Sequence, residues 1–386
     1  METETNFIIK TKLNSLPRNN KKCNKVNIKL YFFLFLFFIN FGSLISSKII
    51  NLHKKNYILN FPIKQLNNTI NKTSINMTNT TTNNILNGEF NQLINDRYRK
   101  EQYYFCENQN FFYNKELEDK IELINIQFED KKYNIFIYKK FDIVSNEIIK
   151  YKMWEKNETK ILINCLDYYS IKKNITNKDI YIIDIGANLG WYSFVLGKKG
   201  YNIISFEPSK INNYILKKNF CLNNETNVTI INKGLYTEEK ICDLYNLYHN
   251  EGNGMIICDK QNISSNLLLK SKAEIVLTKL SNYIPFFSDK NLALIKIDIE
   301  GSEGKAFEGG IELITKYHVP FIFLEYTPTS LKLHGTDPNK FLHLFIDNGY
   351  KVSLNNFFEN YINIDDLLKR KFTLMNLYIV YSKILE

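Results

Sequence analysis

Asp184-Ile185-Gly186-Ala187-Asn188-Leu189-Gly190 is the stretch whose reading decides the fold. It ends a short β-rich run, 181–185, and opens onto a helical stretch, 191–199. Glycines at 186 and 190 permit a tight strand-to-helix turn and a close approach of backbone to a ligand. A turn that receives a pyrophosphate at a helix N-terminus would carry G-x-G-x-x-G. That spacing is missing, and Asp184, directly before the loop, would repel phosphate. An acid there suits a ligand with a cationic amine and a sulfonium. A second acid, Glu207, closes the next β-rich run in Phe206-Glu207-Pro208. It stands roughly 20 residues on, where a carboxylate can grip both ribose hydroxyls of a nucleoside. Asp184, Gly186, Asn188, Gly190 and Glu207 are therefore the candidate ligand-binding residues.

Working outward, apolar runs bounded by turn signals alternate with helical stretches. The run 203–206 is followed by a helix over 209–220 and a strand at 228–231. Residues 241–280 read as hairpins and loops inserted into the alternation. A strongly apolar strand at 292–299 precedes a helix over 302–317, a strand at 321–324 and a helix over 338–348. Strands near 350–353 and 373–381 close the chain. This order predicts an α/β fold: a mostly parallel, doubly wound, Rossmann-like sheet covered by helices on both faces. Ligands then bind beyond the carboxyl ends of the strands, where the strand order switches. Lys296, Asp298 and Glu300 alternate along the fourth strand, which would point them to one side.

With these residues in view, the chain resembles the FkbM family of methyltransferases. The matching segments are IDIGANLGWYS (183–193), FEP (206–208), LIKIDIEGSEGKAFEGG (294–310) and VPFIFLE (319–325), with Trp154-Glu155 upstream. The resemblance runs over about 130–386, and D-x-G-A-N-x-G followed by I-D-x-E-G-x-E is a specific pair. It implies a class I methyltransferase fold that uses S-adenosyl-L-methionine, often on hydroxyl groups of sugars or glycan-like products. Many members carry Asp after the Leu in the segment read here as LTKLSNYI; this chain has Ser281, so no acid acts from that position.

A sugar hydroxyl is a poor nucleophile until a base takes its proton. Asp298 and Glu300, at the carboxyl end of the fourth strand, are the catalytic candidates. The same two acids could instead hold Mg²⁺, which prefers oxygen ligands, or fix the Gly301 turn by accepting loop N–H groups. Glu303 falls in the first turn of a helix, where the dipole stabilises an acid. His249, His334 and Glu325 are lesser candidates.

The formal charge of +10 sits outside this region. Residues 1–29 carry seven Lys and Arg against Glu2 and Glu4, and residues 30–100 carry eight against Glu89 and Asp96. That leaves residues 101–386 near −1. A nucleic-acid enzyme needs a basic face, so no nucleic-acid partner is expected. Residues 30–47 are uncharged and read LYFFLFLFFINFGSLISS. About 18 apolar residues just cross a bilayer as a helix, and the basic run 1–29 before them fits a cytosolic side. A cleaved signal peptide, with Ser46 and Ser47 near the cut, is the rival reading; its leading segment of about 29 residues would be long.

Residues 48–100 form an Asn- and Thr-rich stalk with sequons at Asn67, Asn71, Asn76 and Asn79. Sequons at Asn174, Asn227 and Asn262 lie deeper in the chain. The expected organisation is thus a basic tail (1–29), a signal anchor (30–47), a stalk (48–100), an N-terminal cap (101–177) and a catalytic domain (178–386). It gives a single-pass membrane glycoprotein of the endoplasmic reticulum or Golgi with its domain in the lumen. The six cysteines have no zinc spacing. Cys242 and Cys258 could face each other across a hairpin.

Three other functions compete. Methylation of RNA or DNA would bring an N/D-P-P-Y/F motif or a basic groove. A membrane glycosyltransferase would bring D-x-D in a nucleotide-sugar domain. Neither signature is present. A membrane-tethered binding protein on a degenerate methyltransferase fold would be expected to lose Asp184, Gly186, Gly190 or Glu207, all of which stand.

Overall fold

The computed structural model of the chain describes residues 94–247, 250–258, 269–370 and 374–386. The apolar span 30–47, the stalk sequons, His249 and Asn262 lie outside the described residues. Among the described residues, no helix is long and apolar enough to cross a membrane.

In chain order the strands are β1 (Ile121–Phe128), β2 (Lys131–Tyr138), β3 (Ile180–Ile185), β4 (Asn202–Phe206), β5 (Val228–Ile231), β6 (Gly234–Leu235), β7 (Lys240–Leu247), β8 (Asn250–Ile257), β9 (Leu269–Thr278), β10 (Asn291–Ile297), β11 (Phe321–Tyr326), β12 (Tyr350–Ser353) and β13 (Met375–Tyr381). The main sheet has seven of them in the order β12-β13-β11-β10-β3-β4-β5. The pairings among β5, β4, β3, β10 and β11 are parallel, and β13 runs antiparallel to both its neighbours. The result is a mixed α/β sheet whose order reverses between β3 and β10. A crevice at such a switch point is where this architecture takes its ligand.

Both faces of the sheet are apolar because the strands carry near-continuous hydrophobic runs. Ile180, Ile182, Ile203 and Leu294 pack on one side with Leu162, Cys165, Phe194 and Ile215 from the helices Lys156–Lys173, Trp191–Lys198 and Lys210–Leu222. Ile183, Ile185, Ile204, Ile295 and Ile297 pack on the other with Phe286, Phe307, Leu342 and Phe345. The insertion over 241–280 carries β7, β8 and β9, which with β6 just before it form a separate four-stranded sheet, β6-β9-β7-β8.

The free edge of β5 is covered. Gln102, buried in the helix Lys100–Glu107, donates to Val228 O and accepts from Ile230 N, while Arg99 donates to Thr229 Oγ1. A Cys106–Cys221 disulfide fastens that helix to Lys210–Leu222. The helical run begins at Ile94, inside the span read as stalk. Cys242 and Cys258 are joined, as their spacing suggested. Cys165 is a buried thiol.

Two element expectations need correction. The helix over 302–317 is two short helices, Glu303–Glu308 and Glu312–Thr315. The Gly309-Gly310 pair separates them, because the backbone there presses on its neighbours. A Cβ on Gly309 would lie 2.0 Å from Tyr236 O, and one on Gly310 2.7 Å from Leu280 Cβ. The strand at 292–299 stops at Ile297, and the chain then turns with φ +59° at Glu300 and +104° at Gly301. The pleat therefore does not carry Glu300 to the side of Lys296.

Candidate active site

The turn after β3 is stitched to the end of β4. Gly186 N and Ala187 N both donate to Phe206 O, at 3.0 and 3.1 Å. Gly186 has φ +74°, and a Cβ on it would lie 2.0 Å from Asp298 O. No side chain fits between the two strand ends at the switch point. Asn188 also adopts a left-handed φ of +55°, which asparagine tolerates better than most residues. This conformation aims its N–H at Glu207 Oε2, 2.8 Å away. Glu207 Oε1 accepts from Ser209 N at 2.8 Å. The acid is 4% exposed. Burial pushes its carboxyl up to about 7, against the hydrogen bonds from Ser209, Asn188 and Asn212 and the charge of Lys296. Asn188 Oδ1 is buried without a hydrogen-bond partner.

Asp184 lies in β3, just before the turn. It is 1% exposed, accepts from Ser193 Oγ at 2.6 Å, and pairs with Lys296 Nζ at 3.6 Å. Lys296 also donates to Gly186 O at 2.9 Å. Burial works against the ammonium, but Asp184, Asp298, Glu155 and Glu325 outweigh it and hold its pKa above the usual value. The turn is thus propped from beneath by a buried ion pair.

Asp298 and Glu300 do come together, through the turn rather than the pleat, and Glu325 of β11 joins them. One carboxylate oxygen from each lies within 4.8 Å of the others. Glu300 Oε1 accepts from Asn253 Nδ2 at 2.6 Å. Burial, then the neighbouring Glu325, Asp298 and Glu303, push the Glu300 carboxyl well above the carboxylate range. Like charges this close retain a proton between them. Glu300, whose carboxyl is pushed up, is the better holder of that proton. Oxygen ligands so placed could also take a divalent cation.

Glu303 is a structural acid: its Oε1 accepts from Ile299 N at 3.0 Å and Gly301 N at 3.2 Å, and burial lifts its carboxyl to about 7. His334 is a strut, with Nδ1 on Ser330 O and Nε2 on Ile256 O. Asn227 donates its amide to Gly197 O and Tyr201 O, so that sequon is internally engaged.

Glu325 ends an apolar run as Glu207 does, which is a signal a reader could weigh. Lys296 stands among the matched residues, but its partner cannot be read from spacing. Asn253 gave no signal at all, because its contact depends on how the insertion folds back.

Residues 184–352 match the family model of the methyltransferase FkbM domain. Over these residues the chain is similar to that methyltransferase domain, in line with the resemblance its motifs carry. No curated protein matches the chain in sequence. Among solved structures, the chain is similar to WbdD, described as a bifunctional kinase-methyltransferase, at 11% identity and a TM-score of 0.35. The likeness covers 58% of this chain and 39% of that one. A precorrin-6y C5,15-methyltransferase from Geobacter metallireducens GS-15 gives 13% identity and a TM-score of 0.29, over 54% and 83% of the two chains. The chain spans well under half the length of WbdD, and at these scores neither likeness bears on substrate.

Proposed function

We propose that the chain is an S-adenosyl-L-methionine-dependent methyltransferase that methylates a hydroxyl of a glycan or other hydroxylated acceptor. The observation that carries the reading is the meeting of Glu207 with the Gly186–Gly190 turn at the switch point, inside the FkbM match. The residues suit the cofactor on two further counts. Asn188 Oδ1, buried without a partner, is an acceptor awaiting a donor. Asp184, Asp298, Glu155 and Glu325 all act on one lysine, Lys296, an acid excess that favours a cationic ligand.

When bound, the cofactor supplies an electrophilic methyl group on a sulfonium. The chain's own part is to orient the acceptor and receive its proton, and we assign the second task to Asp298. If a Mg²⁺ ion is used, Asp298, Glu300 and Glu325 are the residues that would hold it, and it would supply Lewis acidity toward the acceptor hydroxyl. Calorimetry on the full chain tests the cofactor. Wild type should bind S-adenosyl-L-methionine. Glu207→Ala should weaken that binding by about 1.5–3 kcal/mol for each charge-assisted hydrogen bond removed. Absence of binding to wild type, or equal affinity in the two proteins, refutes it.

We also propose a single-pass anchor at 30–47 with the domain in the lumen of the endoplasmic reticulum or Golgi. Two disulfides support an oxidising compartment, and the basic run before the span supports its orientation. In sealed vesicles the domain should resist added protease and the protein should shift on glycosidase treatment. Protease sensitivity without a shift would put the domain in the cytosol.

A further inference from the structure

β8 is the outer strand of the small sheet, and its ladder with β7 is interrupted. Asn246 pairs with Gly254 while its neighbour Leu247 pairs with Asn250, so Glu251, Gly252 and Asn253 bulge out. Such bulges re-aim a strand, and they recur beside active sites. Asn246 Nδ2 holds the bulge in shape by donating to Glu251 O and Asn253 O, at 2.8 and 3.0 Å. The Cys242–Cys258 disulfide ties the base of the hairpin.

Glu251 pairs outward with Lys120 Nζ at 3.9 Å, but the other contacts of the bulge lead toward the candidate site. Glu251 N donates to Phe141 O at 2.6 Å. Gly252 N donates to Asp142 Oδ2 at 3.1 Å, and Gly252 O accepts from Asn212 Nδ2 at 2.8 Å. Asn212 in turn acts on Glu207. Asn253 Nδ2 donates to Glu300. A Cβ on Gly252 would lie 2.3 Å from Asp142 Oδ2 and 3.0 Å from Asn188 Oδ1. Three residues therefore span from the Glu207 end of the crevice, past Asn188 in the turn, to the acids after β10. Glycine stands where the span passes closest.

We propose that the bulge Glu251–Asn253 is a wall of the cofactor site that closes over the bound nucleoside, with Asn253 as a positioning residue that ties this wall to Glu300. The inference rests on the S-adenosyl-L-methionine reading and adds to it a ligand-contacting element from outside the main sheet. It makes the wall and the Gly186–Gly190 turn two sides of one crevice, joined through Asn212 and Glu207.

Amide hydrogen exchange on the full chain, with and without S-adenosyl-L-methionine, tests it. Ligand at a hundred times Kd suppresses openings that release it about 100-fold. Amides in both 184–190 and 250–257 should then slow together. Protection of the turn alone overturns the proposal and leaves the methyltransferase reading standing; protection of neither region overturns both. In a second arm, Asn253→Ala and Asn253→Asp lose the donor to Glu300. One hydrogen bond of about 1 kcal/mol corresponds to cofactor release roughly fivefold faster. Wild-type release rates in variants of wild-type Tm would remove Asn253 from the role.

Discussion

Replacing Lys296 by methionine should destabilise the fold by about 3–5 kcal/mol, the cost of breaking a buried ion pair from one side. The side chains of Lys296 and Asp184 are 6% and 2% exposed, so water cannot rescue the carboxylate left behind. The loss is a large share of a typical domain's stability of about 5–15 kcal/mol. Removing both charges is a different matter. Asp184→Asn with Lys296→Met should recover much of the deficit, because a neutral pair needs no compensation. Denaturant unfolding of the two single variants and the double variant forms the cycle. Strictly additive losses would mean that the two groups do not support each other, and the account of the propped turn would fall.

Asp298→Asn should lower turnover by about 10²–10⁴-fold while S-adenosyl-L-methionine affinity changes little, the usual contribution of a general base. Glycans extracted from cells lacking the gene serve as acceptors, with labelled methyl transfer as the readout. Glu300→Gln is the comparison. Burial and its acid neighbours push the Glu300 carboxyl well above the carboxylate range, so an amide in its place should cost less than the Asp298 change. Chelator separates the two versions of the chemistry. Activity abolished by chelation and restored by Mg²⁺ supports the metal; indifference to chelation supports direct proton transfer to Asp298. Near-normal turnover in Asp298→Asn would end its candidacy.

The parts of this molecule that were legible in the sequence are those in which neighbours along the chain do the work. The apolar runs of β3, β4, β10 and β11 announce buried parallel strands by themselves. The turn between Gly186 and Gly190 shows its tightness through its glycines, and Glu207 shows its place by ending a strand. What escaped depends on distant partners. The pairing of Asp184 with Lys296 joins strands more than a hundred residues apart, which neither segment shows alone. Alternation placed Asp298 and Glu300 together for the wrong reason: Glu300 arrives by a left-handed turn after the strand has ended. Asn253 belongs to the site only because a bulge in the inserted sheet returns across the crevice. The Cys242–Cys258 disulfide closes a separation of 16 residues and could be guessed from a hairpin, whereas Cys106–Cys221 closes 115 and could not.

The Cys106–Cys221 disulfide also has a mechanical consequence. The chain enters the described fold through the helix Lys100–Glu107, whose Gln102 lies along the outermost strand, β5. Held by hydrogen bonds alone, that helix would be the first thing to peel away under a pull from the N-terminal side. The covalent link carries such a load past β5 and into Lys210–Leu222, a helix packed against the sheet and bonded through Asn212 to Glu207. Tension applied from that side would thus be borne by the body of the domain, and the β5 edge of the sheet spared.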